Sequence, residues 1–187
     1  MPPKAKFSKK EIIEAAVDIV KAEGSQALTA RALGAKLGTS SSPIFTVFQN
    51  MDEVQQEVLK SANQLYENYL ETDMKSKEYP PYKSSGMAYI RFAKEEKELF
   101  KLLFMRDRSE EKLSENKEEI RQLINLIKQN LNISEDEAYL FHLEMWIYVH
   151  GIATMAATSY LSWDIEFISK TLTDVYAGLK HRFTGGN

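Results

Sequence analysis

Cysteine is absent from the 187 residues. That excludes a disulfide scaffold, a thiol nucleophile and a zinc finger built on thiolates. Chain breakers are scarce: eight Gly and five Pro make up about 7 % of the chain, against about 12 % in average usage. No proline follows Pro81, and an unbroken stretch of that length predicts helices. Long hydrophobic runs are missing as well. The richest, Met145 to Ala157, is interrupted by His150 and Thr154 and is too short and too polar to span a bilayer. The first residues are charged, with no apolar run behind them, so no signal peptide is expected. We read a soluble, cytoplasmic protein with no membrane partner.

Catalytic signatures are also lacking. There is no Gly-rich phosphate loop, no His-Glu-x-x-His and no Gly-x-Ser-x-Gly, so no enzyme activity and no cofactor is expected. His142, Glu144 and His150 are the nearest thing to a ligand set. Two residue steps along a helix turn about 200°, so His142 and Glu144 do not converge, and no metal is expected.

What the chain does have is 43 % hydrophobic and 27 % charged residues. That is enough for a sizeable buried core and too apolar for disorder. The net charge is −3, which by itself argues against nucleic acid, but the average hides an asymmetry. Residues 1–50 hold Lys4, Lys6, Lys9, Lys10, Lys21, Arg31 and Lys36 against Glu11, Glu14, Asp18 and Glu23. A basic head on an acidic body fits a DNA-reading module joined to a second functional domain. A lysine-rich start that only solubilises the chain fits equally.

The periodicity is helical throughout, and the fold class is all-α. Ser8 and Glu11 have capping-box spacing, and Ile12, Ala16, Ile19 and Val20 form one apolar face that ends at Gly24. Thr29 is placed to cap a short helix ending near Leu37 and Gly38. Ser42-Pro43 reads as a cap with Pro at the first helical position, opening a very short third helix over 43–48. Asn50 caps a fourth helix that runs to about residue 70. Further helices are expected near 84–96, 97–105, 110–130, 135–161 and 164–183, which gives about nine. We place a head domain at 1–52 and a second helical domain at 53–187.

The segment 29–48 has the mechanics of a helix-turn-helix. Two short helices cross closely only where a small residue allows it, here Gly34. A sharp turn follows four residues later at Gly38. Thr29 and Arg31 stand at a helix N-terminus that can meet a phosphate. Ser40, Ser41, Ser42, Pro43, Phe45, Thr46 and Val47 would then face the major groove. An ordinary helical hairpin using glycines for packing has the same spacing.

Leu28-Thr29-Ala30-Arg31-Ala32-Leu33-Gly34, Gly38-Thr39-Ser40, Ile44-Phe45, Phe48 and Met51-Asp52-Glu53-Val54, preceded by the helix Ile12–Val20, resemble the DNA-binding head of the tetracycline-repressor (TetR/AcrR) family. The likeness covers roughly residues 8–60. Trp146-Ile147-Tyr148-Val149-His150-Gly151 is similar, more weakly, to a Trp…His-Gly element in the ligand-binding domains of one branch of that family. The resemblance implies an all-helical homodimer with one helix-turn-helix per subunit. It further implies that a small molecule in the C-terminal domain controls binding to operator DNA.

The departures from the family pattern matter. Ser41 stands where members commonly carry Lys, Phe45 replaces a Tyr whose hydroxyl would bond a phosphate, Val47 replaces a frequent His, and Met51 a Lys. No Lys or Arg lies between Thr39 and Met51. Phosphate contacts carry most non-specific affinity, so Lys4, Lys6, Lys9, Lys10 and the backbone N–H groups behind Asn50 are the candidates to compensate. Lys6, Lys9 and Asn50 therefore join the DNA-binding set. The apolar groups of Ser42, Pro43, Thr46 and Val47 suit thymine methyls, which predicts half-sites containing A·T pairs.

In the body, the 135–161 helix is apolar nearly all round and must be covered on several sides. Ile152, Met155 and Tyr160, with Ile168, Leu172, Tyr176 and Leu179 of the last helix, are candidates for a dimer interface. They equally suit the core of one protomer. Tyr89, Phe92, Phe100, Phe104, Met105, Phe141, Met145, Trp146 and His150 are candidates to line a pocket for a hydrophobic or aromatic effector, although such residues also build any core. His150 in an apolar run is either a ligand contact or a histidine satisfied by a backbone carbonyl or a partner subunit. The reading that unites these features is a one-component regulator, a repressor released by its effector and bound as a homodimer to a pseudo-palindromic operator. The alternative is a helical dimer that binds a ligand or a protein and whose head has lost specific DNA binding.

Overall fold

Side-chain caps fix where the helices start. Ser8 Oγ accepts from the Glu11 N–H (3.2 Å), while the Glu11 carboxylate accepts from the Ser8 N–H (2.8 Å), opening α1 (Lys9–Glu23). Thr29 Oγ1 accepts from the Ala32 N–H (3.1 Å) to open α2 (Ala30–Lys36). Asn50 Oδ1 accepts from the Glu53 N–H (2.9 Å) at the start of α3 (Met51–Ser76). After α4 (Pro81–Glu95) and α5 (Lys97–Phe104) comes α6 (Lys117–Leu131). A second Ser/Glu box, Ser134 with Glu137, opens α7 (Glu135–Ala157), and Asp164 caps α8 (Ile165–Phe183). The structure is a computed structural model and describes residues 6–107 and 117–185, with backbone alone for 117–119.

Among the described residues there are eight α-helices, two short 3-10 turns and no strand. Eight rather than about nine reflects the segment expected to be a short third helix. It forms a 3-10 turn over Ile44–Thr46, held by i→i+3 bonds from the Ile44, Thr46 and Val47 N–H groups and a single i→i+4 bond from the Phe48 N–H to the Ile44 carbonyl. The start of the helix expected over 110–130 lies outside the described residues. The helix opened by Asn50, α3, runs six residues beyond expectation, and α7, expected over 135–161, stops at Ala157, with Ser159 just beyond at a positive φ of 58°. No helix of the described residues is long and apolar enough to cross a membrane.

The chain divides into two compact units. The first comprises residues up to Asn68 with Glu96–Arg106, and the second Tyr69–Glu95 with the residues from Asp107 on. The first unit thus includes α5 and much of α3 beside the head. Its core is Ile12, Ala16 and Val20 of α1, Leu33 of α2, Ile44, Phe48, Val54 and Val58, and Leu99 and Phe100 of α5, all essentially inaccessible.

In the second unit α7 is the central helix, packing on α4, α6 and α8. Phe141 anchors it, with ring centroids 5.2 Å from Tyr176, 5.6 Å from Phe183 and 6.4 Å from Tyr82. Arg91 of α4 holds the end of α3 by pairing with Asp73 (2.6 Å) and lying over the Tyr69 ring (4.4 Å). That network explains why α3 continues to Ser76.

Candidate functional site

In the head, Gly34 sits where α2 meets the turn. A Cβ there would lie 3.0 Å from the Ser40 carbonyl carbon and from the Thr39 carbonyl oxygen, so any side chain would push the turn away. Gly38 turns the chain at φ +65°, a left-handed value that costs glycine nothing. The Thr39 N–H then donates back to the Gly34 carbonyl (2.9 Å). Ile44 and Phe48 insert into the core, and both the Val47 and Phe48 N–H groups donate to the Ile44 carbonyl at 3.0 Å. This anchors a rigid turn whose outer residues are Ser42, Phe45 and Thr46, all exposed, with Ser41, Pro43 and Val47 half-buried.

The polar groups of the predicted DNA-binding set are largely committed within the head. Thr29 and Asn50 cap helices. The Thr46 hydroxyl donates to the Pro43 carbonyl (2.6 Å). Lys9 pairs with Glu57 (3.3 Å) and lies over the Phe48 ring, while Lys10, Lys21, Lys36 and Lys60 each face a carboxylate. Among the cations of described residues 6–60, Lys6 and Arg31 have no carboxylate partner. Lys6 Nζ instead donates to Thr39 Oγ1 (3.3 Å), which brings the N-terminal lysine onto the turn of the helix-turn-helix. Sequence spacing gave no sign of that contact. Both cations are exposed, so the unbalanced positive charge of the head lies at the turn and at the start of α2.

A depression of about 510 Å³, open to solvent, lies between α1 and α3 of the first unit and is lined by Lys9, Lys10, Ile13, Glu14, Glu57 and Ser61. Its charges are already paired.

In the second unit, two tyrosine–histidine pairs join α4 to α7. The Tyr82 hydroxyl lies 3.1 Å from His142 Nδ1, and the Tyr89 hydroxyl 2.8 Å from His150 Nδ1. Both numbers rise together, about two helical turns apart on each helix, so α4 and α7 run parallel. With each tyrosine as donor, each imidazole is neutral and accepts at Nδ1. Tyr82 was absent from the sequence-based candidates, and His142 was weighed there only as a metal ligand. The signal was present in the matched spacing of the two pairs, but nothing in the sequence says that α4 and α7 are neighbours. Trp146 stacks on His150, with centroids 4.9 Å apart and planes 11° from parallel, and is itself 43 % exposed.

Of the expected effector-lining residues, Tyr89, Phe92, Phe141 and Met145 are buried in the second unit, beside Trp146 and His150. Phe100, Phe104 and Met105 belong to the first unit. There Phe104 packs edge-on against Tyr66, with centroids 5.3 Å apart.

Burial pushes the pKa of His142 and of His150 below the ordinary 6.5. The folded state then binds fewer protons than the unfolded state as pH falls through about 6.5, so these histidines destabilise the fold on the acid side. Stability measured by urea unfolding is expected to be lower at pH 5.5 than at pH 7.5, with a smaller difference in His142→Gln/His150→Gln. An identical pH dependence in the double variant would show that the decrease arises elsewhere.

Of the dimer candidates, Ile152, Ile168 and Leu172 are buried within the single protomer. The exposed apolar surface of α7 is Tyr139, Leu140, Leu143, Trp146 and Ile147, at helical spacing along one side. Tyr160, which is 76 % exposed, lies beyond the end of α7 beside the exposed Leu161 and Ile165. Met155, Tyr176 and Leu179 are half-buried.

Comparison with known proteins agrees with this architecture. Residues 83–175, about half of the chain, match the family model described as the tetracyclin repressor-like, C-terminal domain. Among solved structures, a TetR-like transcriptional regulator from Rhodococcus sp. RHA1 is similar over the whole of both chains, with a TM-score of 0.65 at 14 % identity. A sequence comparison with curated proteins finds no match. A chain that is all-helical among its described residues, with residues 83–175 matching this family's own C-terminal domain, belongs to the tetracycline-repressor-like family of transcriptional regulators.

Proposed function

We propose that this protein is a cytoplasmic, non-catalytic one-component regulator. In this reading it binds a pseudo-palindromic operator as a homodimer, represses, and is released by a small hydrophobic or aromatic effector. The observation that carries the reading is the head itself. It has a turn locked by Gly34 and Gly38 with an exposed outer surface, and Lys6 and Arg31 are the cations left without carboxylates. The exposed apolar side of α7 supports a second copy as partner. Such a dimer would set two heads on successive major grooves, roughly 34–36 Å apart. An effector among the aromatic side chains of the second unit would act by binding more tightly to a state with lower operator affinity.

Selection from a randomised duplex library, followed by a salt titration on the enriched sequence, tests this reading. An inverted repeat is expected. The slope of log affinity against log salt is expected to be shallow for the family, because few cations are unpaired, and Lys6→Ala and Arg31→Ala should each reduce it by about one per contacted phosphate. Failure to enrich any sequence at low salt would favour the alternative, a ligand- or protein-binding dimer with a degenerate head, for which the paired lysines and the uncharged 39–51 segment speak.

A further inference from the structure

The head has little with which to read base edges by hydrogen bonding. Guanine is read best by Arg or Lys and adenine by the paired donor and acceptor of Asn or Gln. No Arg or Lys lies between Thr39 and Met51. The Asn50 oxygen is taken by the Glu53 N–H, so this carboxamide cannot offer both groups to adenine. Gln49 follows the buried Phe48, after the turn has closed. Ser40 and Ser42 bring single hydroxyls, which accept any base with a suitable edge.

Apolar groups remain. Phe45 is 42 % exposed with no hydroxyl to hydrate, an unusual position for a phenyl ring in a small, tightly packed head. Beside it, Thr46 is exposed while its hydroxyl donates to the Pro43 carbonyl at 2.6 Å. That bond commits the hydroxyl proton to the backbone and leaves the methyl as the apolar group of this exposed side chain. A Phe ring and a Thr methyl are the apolar groups that contact the thymine C5-methyl in the major groove.

Resting on the operator-binding function proposed above, we propose that Phe45 and Thr46 are specificity-determining residues that read the C5-methyl group of thymine. The recognised group is then the methyl itself, and neither the A·T pair as a hydrogen-bonding pattern nor the narrow groove of A·T-rich DNA.

Deoxyuridine isolates that group, since it keeps the pairing edge of thymine and removes only the methyl. The probe is the enriched duplex from the library selection, with thymines of each half-site replaced one at a time by deoxyuridine. At the contacted positions the full-length protein is expected to lose about fourfold in affinity for each methyl removed. Phe45→Ala and Thr46→Ser, the latter keeping the hydroxyl that bonds Pro43, are expected to weaken binding to the thymine duplex and to bring the thymine-to-deoxyuridine ratio close to one at their own positions. Both side chains are exposed, and unchanged melting temperatures establish that the variants fold. Equal affinity of the wild type for thymine and deoxyuridine duplexes overturns methyl reading while leaving the regulator intact, as does a consensus without thymine in its half-sites. A ratio that survives both substitutions overturns the assignment to these residues. Failure to enrich any duplex overturns the regulator and the methyl reading together.

Discussion

Replacing Leu143 and Ile147 together by Glu is expected to turn a dimer into a monomer in light scattering at micromolar concentration. Both residues lie on the exposed side of α7, Ile147 with 59 % of its surface accessible, and one helical turn separates them. An apolar side of this extent on a folded protomer marks an interaction surface. In a two-fold arrangement each substitution occurs twice, so four carboxylates would enter one interface without partners. Burying unpaired charge is among the most costly changes an interface can suffer. Association should weaken by at least about a hundredfold, roughly 2.8 kcal/mol. The melting temperature of the protomer should change little, because neither side chain belongs to its core. Operator affinity should fall alongside dimerisation, since two linked heads bind far more tightly than one. A double variant that still scatters as a dimer would show that the second copy docks elsewhere.

Phe141→Ala is expected to have the largest effect on stability, a loss of about 3–5 kcal/mol in urea unfolding. The ring is fully buried and meets Tyr82, Tyr176 and Phe183, so it ties α4, α7 and both ends of the last two turns of α8 together. Truncation leaves a cavity walled by three rings that are themselves held. Tyr82 is fixed by its bond to His142, and the end of α8 by the Arg182–Glu144 ion pair (2.5 Å). A cavity whose walls cannot collapse costs the most. Against a total stability of about 5–15 kcal/mol for an ordinary protein, that loss brings the second unit close to unfolding. A decrease below about 1 kcal/mol would mean that α8 repacks freely over the gap.

Most helix starts were legible because capping is local. Ser8 with Glu11, Thr29 with Ala32 and Asn50 with Glu53 each act within three residues, so sequence and structure report the same caps. Helix ends were less legible. The fourth helix outruns expectation because Arg91, eighteen residues beyond Asp73 in the chain, comes back to hold it. The third helix fell short because Pro43 and the cap at Asn50 read as helix signals one at a time, yet leave only one 3-10 turn between them.

The candidate sites divide along the same line. The glycines of the helix-turn-helix were legible, since a close crossing and a sharp turn each demand a residue without a side chain. The contact of Lys6 with Thr39 and the ion pairing of the other lysines were not, because they join residues far apart in the chain. Ile152, Ile168 and Leu172 show the limit most clearly. On α7, which is apolar nearly all round, periodicity says that several sides are covered but cannot say which neighbour covers each one.

By itself, then, the sequence determined the helical class, the positions of the caps and glycines, and the chemistry available at each face, because these follow from interactions within a few residues. The tertiary structure alone decided which apolar side of α7 is core and which is left exposed. It also decided that two histidines meet two tyrosines across α4 and α7, and which cations of the head keep their charge unpaired. The physical reason is that burial and pairing depend on which helices become neighbours, and helices with interchangeable apolar surfaces do not carry that information in their periodicity.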